Sequence, residues 1–135
     1  MWLPNNTLSM MLRYKTDCVM DIYHIWCDLK PGTSDMAFVE AVNNYLGKLR
    51  QSGNLENYRI TRRKLGLGMK ELGEFHLMLE FTGLAQLDNA FTSVAERSDP
   101  IEGLHHAVNS LTTSLCFSLY RDFPDEGRTT GNEQF

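Results

Sequence analysis

Four histidines, three cysteines and one dense basic run are the residues of this chain whose types can do chemistry. His24 and His76 sit in DIYHIWCDL and EFHLMLEF, two segments in which side chains alternate in character. Period two marks strands, so His24 shares a face with Ile22, Trp26 and Asp28, and His76 shares one with Glu74, Met78 and Glu80. If the two strands are antiparallel neighbours, Trp26 or His24 falls beside His76. A histidine with a carboxylate close by can act as a general base near neutral pH or bind a divalent metal. The competing reading is that these polar groups satisfy one another inside an interface. No H-x-H or H-x-x-E spacing gathers several ligands on one point, so no metal is expected.

His105 and His106 are adjacent in EGLHHAVNS. Successive residues of a helix diverge, so the two cannot easily share one metal; one faces the interior or a cavity mouth and the other faces water. Arg59, Arg62, Arg63 and Lys64 form the densest positive run and suit an anionic substrate. Alternation assigns Arg59 and Arg63 to the face of His76, with Glu74 and Glu80 across the strand pair to neutralise them. That pattern also describes a solvated, charge-protected edge.

The elements that must position these residues follow from the switches in hydrophobic period. Met20–Leu29 reads as a strand, apolar on both sides in its middle. After the turn at 30–33, Phe38, Val42, Tyr45 and Leu49, joined by Val39 and Leu46, recur at helical spacing until Gly53. Tyr58–Leu65 reads as a charged second strand and Glu74–Phe81 as a third, joined by a glycine-bearing loop over 66–73. Leu84, Leu87, Phe91 and Val94 mark a second helix. Leu104, Val108 and Leu111 mark a short third one, before a last strand over about 113–121. The order predicts an α+β, ferredoxin-like β-α-β-β-α-β domain, with the first and third strands central in a four-stranded antiparallel sheet and the helices on one face. The charged second strand then lies at an edge.

With 135 residues, 42% hydrophobic and 22% charged, the chain fits one globular domain. Its expected divisions are an N-terminal extension over 1–19, the domain over 20–123 and a polar tail over 124–135. No run approaches the roughly 18 apolar residues of a membrane span, and the first 19 residues lack the apolar core of a secretory signal. A net charge of -4 argues against a phosphate-backbone binder. The RNA-recognition use of this topology fails too, since Glu74, His76 and Met78 stand where a basic residue and stacking aromatics are needed. The 66–73 loop precedes no helix and is no phosphate cradle. Cys18, Cys27 and Cys116 form an odd set without a C-x-x-C pair, which favours a reducing, cytoplasmic setting.

Helices on one side are expected to cover Leu115, Phe117 and Leu119 of the last strand, and they leave the other side of the sheet bearing Ile22, His24, Trp26, Met78, Cys116 and Tyr120. Contiguous apolar area of that kind marks an interface or a ligand site, and the simplest cover is a second copy of the chain. This strand order and half-polar face resemble the dimeric α/β-barrel superfamily, in which two ferredoxin-like subunits pack sheet to sheet. The stretches MDIYHIWCDLKPG, RITRRKLGLG, LGEFHLMLEF, EGLHHAVNS and LYRDFPD resemble a small bacterial family of unknown function within it. The resemblance spans about 20–122. It implies a homodimer and a cavity between sheet and helices or between the sheets; superfamily members include cofactor-independent monooxygenases, isomerases, haem-linked enzymes and proteins without assigned activity.

Two functions follow as expectations. One is a cofactor-independent small-molecule enzyme of the monooxygenase or isomerase kind, with its pocket on the open sheet face. His24 and His76 would be its catalytic residues, and Trp26, Arg63, His106 and Tyr120 would bind substrate. The other is a non-catalytic ligand-binding or structural dimer whose polar face sets the pairing.

Overall fold

Alternation builds the first strand, β1 (Asp21–Leu29), and a serine starts the helix after it. In the computed structural model, which describes residues 19–96 and 99–125, Ser34 is extended and its hydroxyl accepts the Ala37 N–H at 3.3 Å. That bond satisfies one orphan donor of α1 (Asp35–Gln51). The helix puts Phe38, Val42, Leu46 and Leu49 on one buried stripe. Against that stripe lie Phe75, Leu77, Leu79 and Phe81 of β3 (Phe75–Phe81), all buried, together with Cys27 of β1. Full burial of a large apolar side chain contributes about 1.5–3 kcal/mol, so this seam between α1 and the sheet carries the fold.

The remaining elements are β2 (Asn57–Arg62), α2 (Leu84–Ala95), α3 (Ile101–Asn109) and β4 (Thr112–Arg121). Gly83 offers α2 no side-chain cap. Gln86 supplies one by reaching back to the Thr82 N–H at 2.9 Å, while its amide donates to Gly53 O and Glu56 Oε1. The sheet runs β2-β3-β1-β4, and every pair is antiparallel. The ferredoxin-like order is therefore present, with the two most apolar strands central and the charged strand at an edge. None of the described helices is long and apolar enough to cross a membrane. Residues 1–18 of the extension expected over 1–19, and most of the polar tail, lie outside the described residues.

Two expectations are corrected. β2 stops at Arg62 and does not run on to Leu65, because Leu65 (φ 56°) and Gly66 (φ 68°) turn the chain left-handed. Arg63 and Lys64 therefore belong to the loop. Leu115, Phe117 and Leu119 were expected to be covered by the helices, yet Phe117 stays 55% exposed. β4 is the outer strand, and neither α1 nor α2 reaches across it fully.

Candidate functional site

Strand register brings the first group together. Trp26 stands opposite His76, and His24 opposite Met78 on one side and Ser118 on the other. His24 Nδ1 and His76 Nε2 lie 2.8 Å apart, one ring donating its N–H to the bare nitrogen of the other. Trp26 stacks on His76 with centroids 4.4 Å apart and planes 8° apart, and Tyr120 meets His24 edge-on at 5.1 Å. Burial lowers the pKa of both histidines, and the charge of His24 further lowers that of His76. Four of the six predicted residues, His24, His76, Trp26 and Tyr120, thus form one aromatic cluster on the open face.

Arg63 lines the edge of this cluster but is not free to hold a substrate. Its guanidinium donates to Met69 O at 2.9 Å and to Leu72 O, folding the 63–74 loop around itself. A Cβ on Gly68 would stand 2.6 Å from Arg63 Nε, so the loop is wrapped to the limit of contact. The expected partner of Glu74 is corrected as well: it pairs with Arg62 at 2.9 Å, and Arg62 also holds Asp35 at 3.2 Å. The space between this loop, Trp26 and His76 is a shallow groove of about 180 Å³.

His106 is not in the open-face cluster. It sits on α3, on the helix side of the sheet, with its side chain exposed. Its neighbour His105 is the one turned inward, because Val108 packs against the core and fixes the roll of α3. His105 reaches a larger cavity, about 320 Å³, that lies between the sheet and the helices and is partly open to solvent. Tyr23, Ile25 and Phe117 form part of its sheet wall; Tyr45, His105 and Phe91 form part of its helix wall.

Tyr23 lies parallel to Phe117 at 5.9 Å and edge-on to Phe91 at 5.3 Å, and Tyr45 packs on His105 at 5.4 Å. Burial lowers the pKa of His105, with His106 adding to the effect, and raises that of Tyr45 to about 12 and that of Tyr23 upward. All three groups are uncharged at neutral pH. The sequence signal for this cavity was present but split: Tyr23 and Tyr45 read as core residues, and nothing local distinguishes His105 from His106. No group of three or more metal-binding side chains occurs among the described residues.

The comparisons agree with the architecture. The model of a family of unknown function, DUF6614, matches residues 20–135. No curated protein matches the chain. Among solved structures, a hydroxynitrile lyase from Passiflora edulis is similar at TM-score 0.59 and 11% identity, over 76% of this chain and 92% of that one. SnoaB, a cofactor-independent oxygenase from Streptomyces nogalater, is similar at TM-score 0.56 and 8% identity, over 76% and 91%. A dimeric ferredoxin-like protein of unknown function from Jannaschia is similar at TM-score 0.57 and 12% identity, over 75% and 97%. At such identities the likeness shows the fold, and the chemistry must come from the site.

Proposed function

Since the chain belongs to the DUF6614 family, whose function is unknown, we propose its role from the site: a homodimer, paired through the open sheet face, that binds a small molecule in the cavity between sheet and helices. The observation that carries this reading is the cavity itself. Its volume of about 320 Å³ lies in the range of small-molecule sites, and its walls are apolar with a few polar groups, among them His105. The shallow groove on the open face has little more than half that volume.

The enzymatic form of this reading is a cofactor-independent one. A neutral His105 in an apolar cavity is suited to take an acidic proton from a bound molecule. Returned at another carbon, that proton completes an isomerisation. Alternatively the deprotonated substrate itself supplies electrons to dioxygen, one oxygen entering the product and the other leaving as water. Two structural neighbours of this fold, the oxygenase and the lyase, keep the enzymatic form in view. The thiols of Cys27 and Cys116, both free, suit a cytoplasmic setting.

The open-face cluster supports a second reading in which His24 and His76 are themselves the acid and base, since across their 2.8 Å contact one ring nitrogen carries a proton and the other is free to accept one. In the dimer reading the same contact pins the pairing surface, with Trp26 and Tyr120 providing the apolar area.

The test uses the full chain. Ala90 is buried and lines the cavity, so Ala90→Leu fills it while leaving the open face untouched. Thermal-shift screening with small aromatic and aliphatic molecules should give hits that vanish in Ala90→Leu and persist in His76→Ala. Hits that survive filling and vanish in His76→Ala would move the site to the open face. Sedimentation at micromolar concentration should show a dimer that Trp26→Glu weakens; a wild-type monomer would overturn the pairing.

A further inference from the structure

We infer that the cavity selects an uncharged, hydroxylated ring system of about two fused rings, with its hydroxyl held by His105 and Tyr45. This rests on the reading that the cavity is the ligand site, and it adds the chemical class of the occupant. Three observations carry it.

The first is charge. None of the residues lining the cavity is Lys, Arg, Asp or Glu. A carboxylate or phosphate brought inside would lose part of its hydration and find no counter-charge among the lining residues, an unfavourable exchange. The second is shape. An apolar cavity of roughly 150 Å³ holds a benzene ring, and this one is about twice as large. Its sheet wall presents the flat pair Tyr23 and Phe117, with Phe91 edge-on, which suits the face of a planar ring system.

The third is polar satisfaction. Among the described residues the Tyr23 and Tyr45 hydroxyls and the His105 ring make no hydrogen bond to protein; all three residues line the cavity, and their polar atoms keep contact with solvent, which a bound molecule would displace. By contrast, Tyr58 donates to Asn43 Oδ1 at 2.8 Å, and His24 is bonded to His76. Thr112, which also lines the cavity, already donates to Asn109 O at 3.2 Å. An occupant lacking polar atoms would leave the His105 nitrogen and the Tyr45 hydroxyl dry and unpaired, which is costly. A hydroxyl resolves both, since it donates to the unprotonated nitrogen of His105 and accepts from the Tyr45 O–H.

The probes are naphthalene, 2-naphthol and 2-naphthoate, titrated calorimetrically into the full chain at pH 7.5. These share one ring system and differ in a hydroxyl and a charge. The expected result is that 2-naphthol binds at least tenfold more tightly than either of the others. His105→Phe keeps the ring volume, so it should remove the preference for 2-naphthol over naphthalene while naphthalene itself still binds; His106→Gln should change neither. Equal or tighter binding of 2-naphthoate, or an unchanged 2-naphthol preference in His105→Phe, would overturn the inference.

Ala90→Leu separates this failure from failure of the underlying reading. If naphthalene binding is lost on filling the cavity but 2-naphthol shows no advantage, only the ligand class is wrong. Binding of 2-naphthol that ignores the filling mutation puts the site elsewhere and overturns both. Should none of the three probes bind the wild type, the fused-ring class falls, whereas aliphatic thermal-shift hits sensitive to Ala90→Leu would still uphold the cavity.

Discussion

His24 and His76 face each other across the central strand pair with Nδ1 and Nε2 2.8 Å apart, an arrangement in which one ring must be a donor and the other an acceptor. Protonating both rings removes the acceptor and places two positive charges in contact. Trp26 and Tyr120 pack around them, with Thr61, Met78 and Ser118 at the adjoining register positions. The carboxylate of Glu74 lines the same groove as His76 but is already paired with Arg62 at 2.9 Å, so it offsets those charges only in part.

Stability should therefore fall on mild acidification. The pKa values of His24, His76 and His105 are all lowered in the fold, mainly by burial. The unfolded chain, with histidines near their ordinary value of about 6.5, then binds protons first. The histidine contribution is fully present above about pH 6.5 and is lost as the pH falls toward the lowered folded values. Urea midpoints at pH 7.5 and 5.5 measure it, and His76→Gln should flatten the difference. An equal slope in wild type and variant would show that this pair does not carry the effect.

Gly73 is a stricter constraint than Gly68. A Cβ at Gly73 would lie 2.3 Å from the Cys27 carbonyl carbon, where backbone cannot yield easily. At Gly68 it would meet only the Arg63 guanidinium, the flexible end of a side chain. Gly73→Ala should cost about 1–3 kcal/mol, the range for overpacking, and Gly68→Ala clearly less. Denaturant titration of the two variants checks the order.

Asp21 is 3% exposed and receives two bonds from Arg121, Nε at 2.5 Å and Nη2 at 3.0 Å. The pair raises the Arg121 pKa further above its already high value, chiefly through the hydrogen bond and charge of Asp21. Arg121 itself is 43% exposed, so solvent screens part of the attraction. Arg121→Ala should still leave a buried carboxylate without its main partner, costing about 1–3 kcal/mol. Asp21→Asn with Arg121→Ala should recover part of that loss in a double-mutant cycle.

Cys27 should resist alkylation until the protein unfolds. It is fully buried, and burial with the nearby Asp28 charge pushes its thiol up to about 11. The reactive thiolate is thus scarce and shielded. Mass spectrometry after iodoacetamide treatment at pH 7.5 should find Cys116 modified well before Cys27. Modification of Cys27 at a comparable rate in the folded protein would contradict the packed seam between α1 and the sheet.

The legible part of the fold is the part written in local period. Alternation in 20–29 and 74–81 set which side chains share a face, so the meeting of His24, Trp26 and His76 needed only antiparallel pairing to be foreseen. Tyr120 followed from the same rule on β4. Arg63 was misplaced because alternation was carried three residues past the real end of β2. What ends that strand is a left-handed turn at Leu65 and Gly66, together with loop carbonyls that claim the guanidinium, and neither has a periodic signature.

By itself, the sequence determined the element order, the central position of β1 and β3, the edge position of the charged strand and the composition of the open face. Each of these depends on contacts between near neighbours or on side-chain period, which the chain carries locally. Only the tertiary structure decided that His105 and not His106 faces inward, and that a cavity of about 320 Å³ lies between sheet and helices. The roll of α3 is set by how Val108 seats on a core built from α1 and the sheet. A cavity is the space those elements fail to fill, a property of volumes brought together from distant parts of the chain and of no single segment.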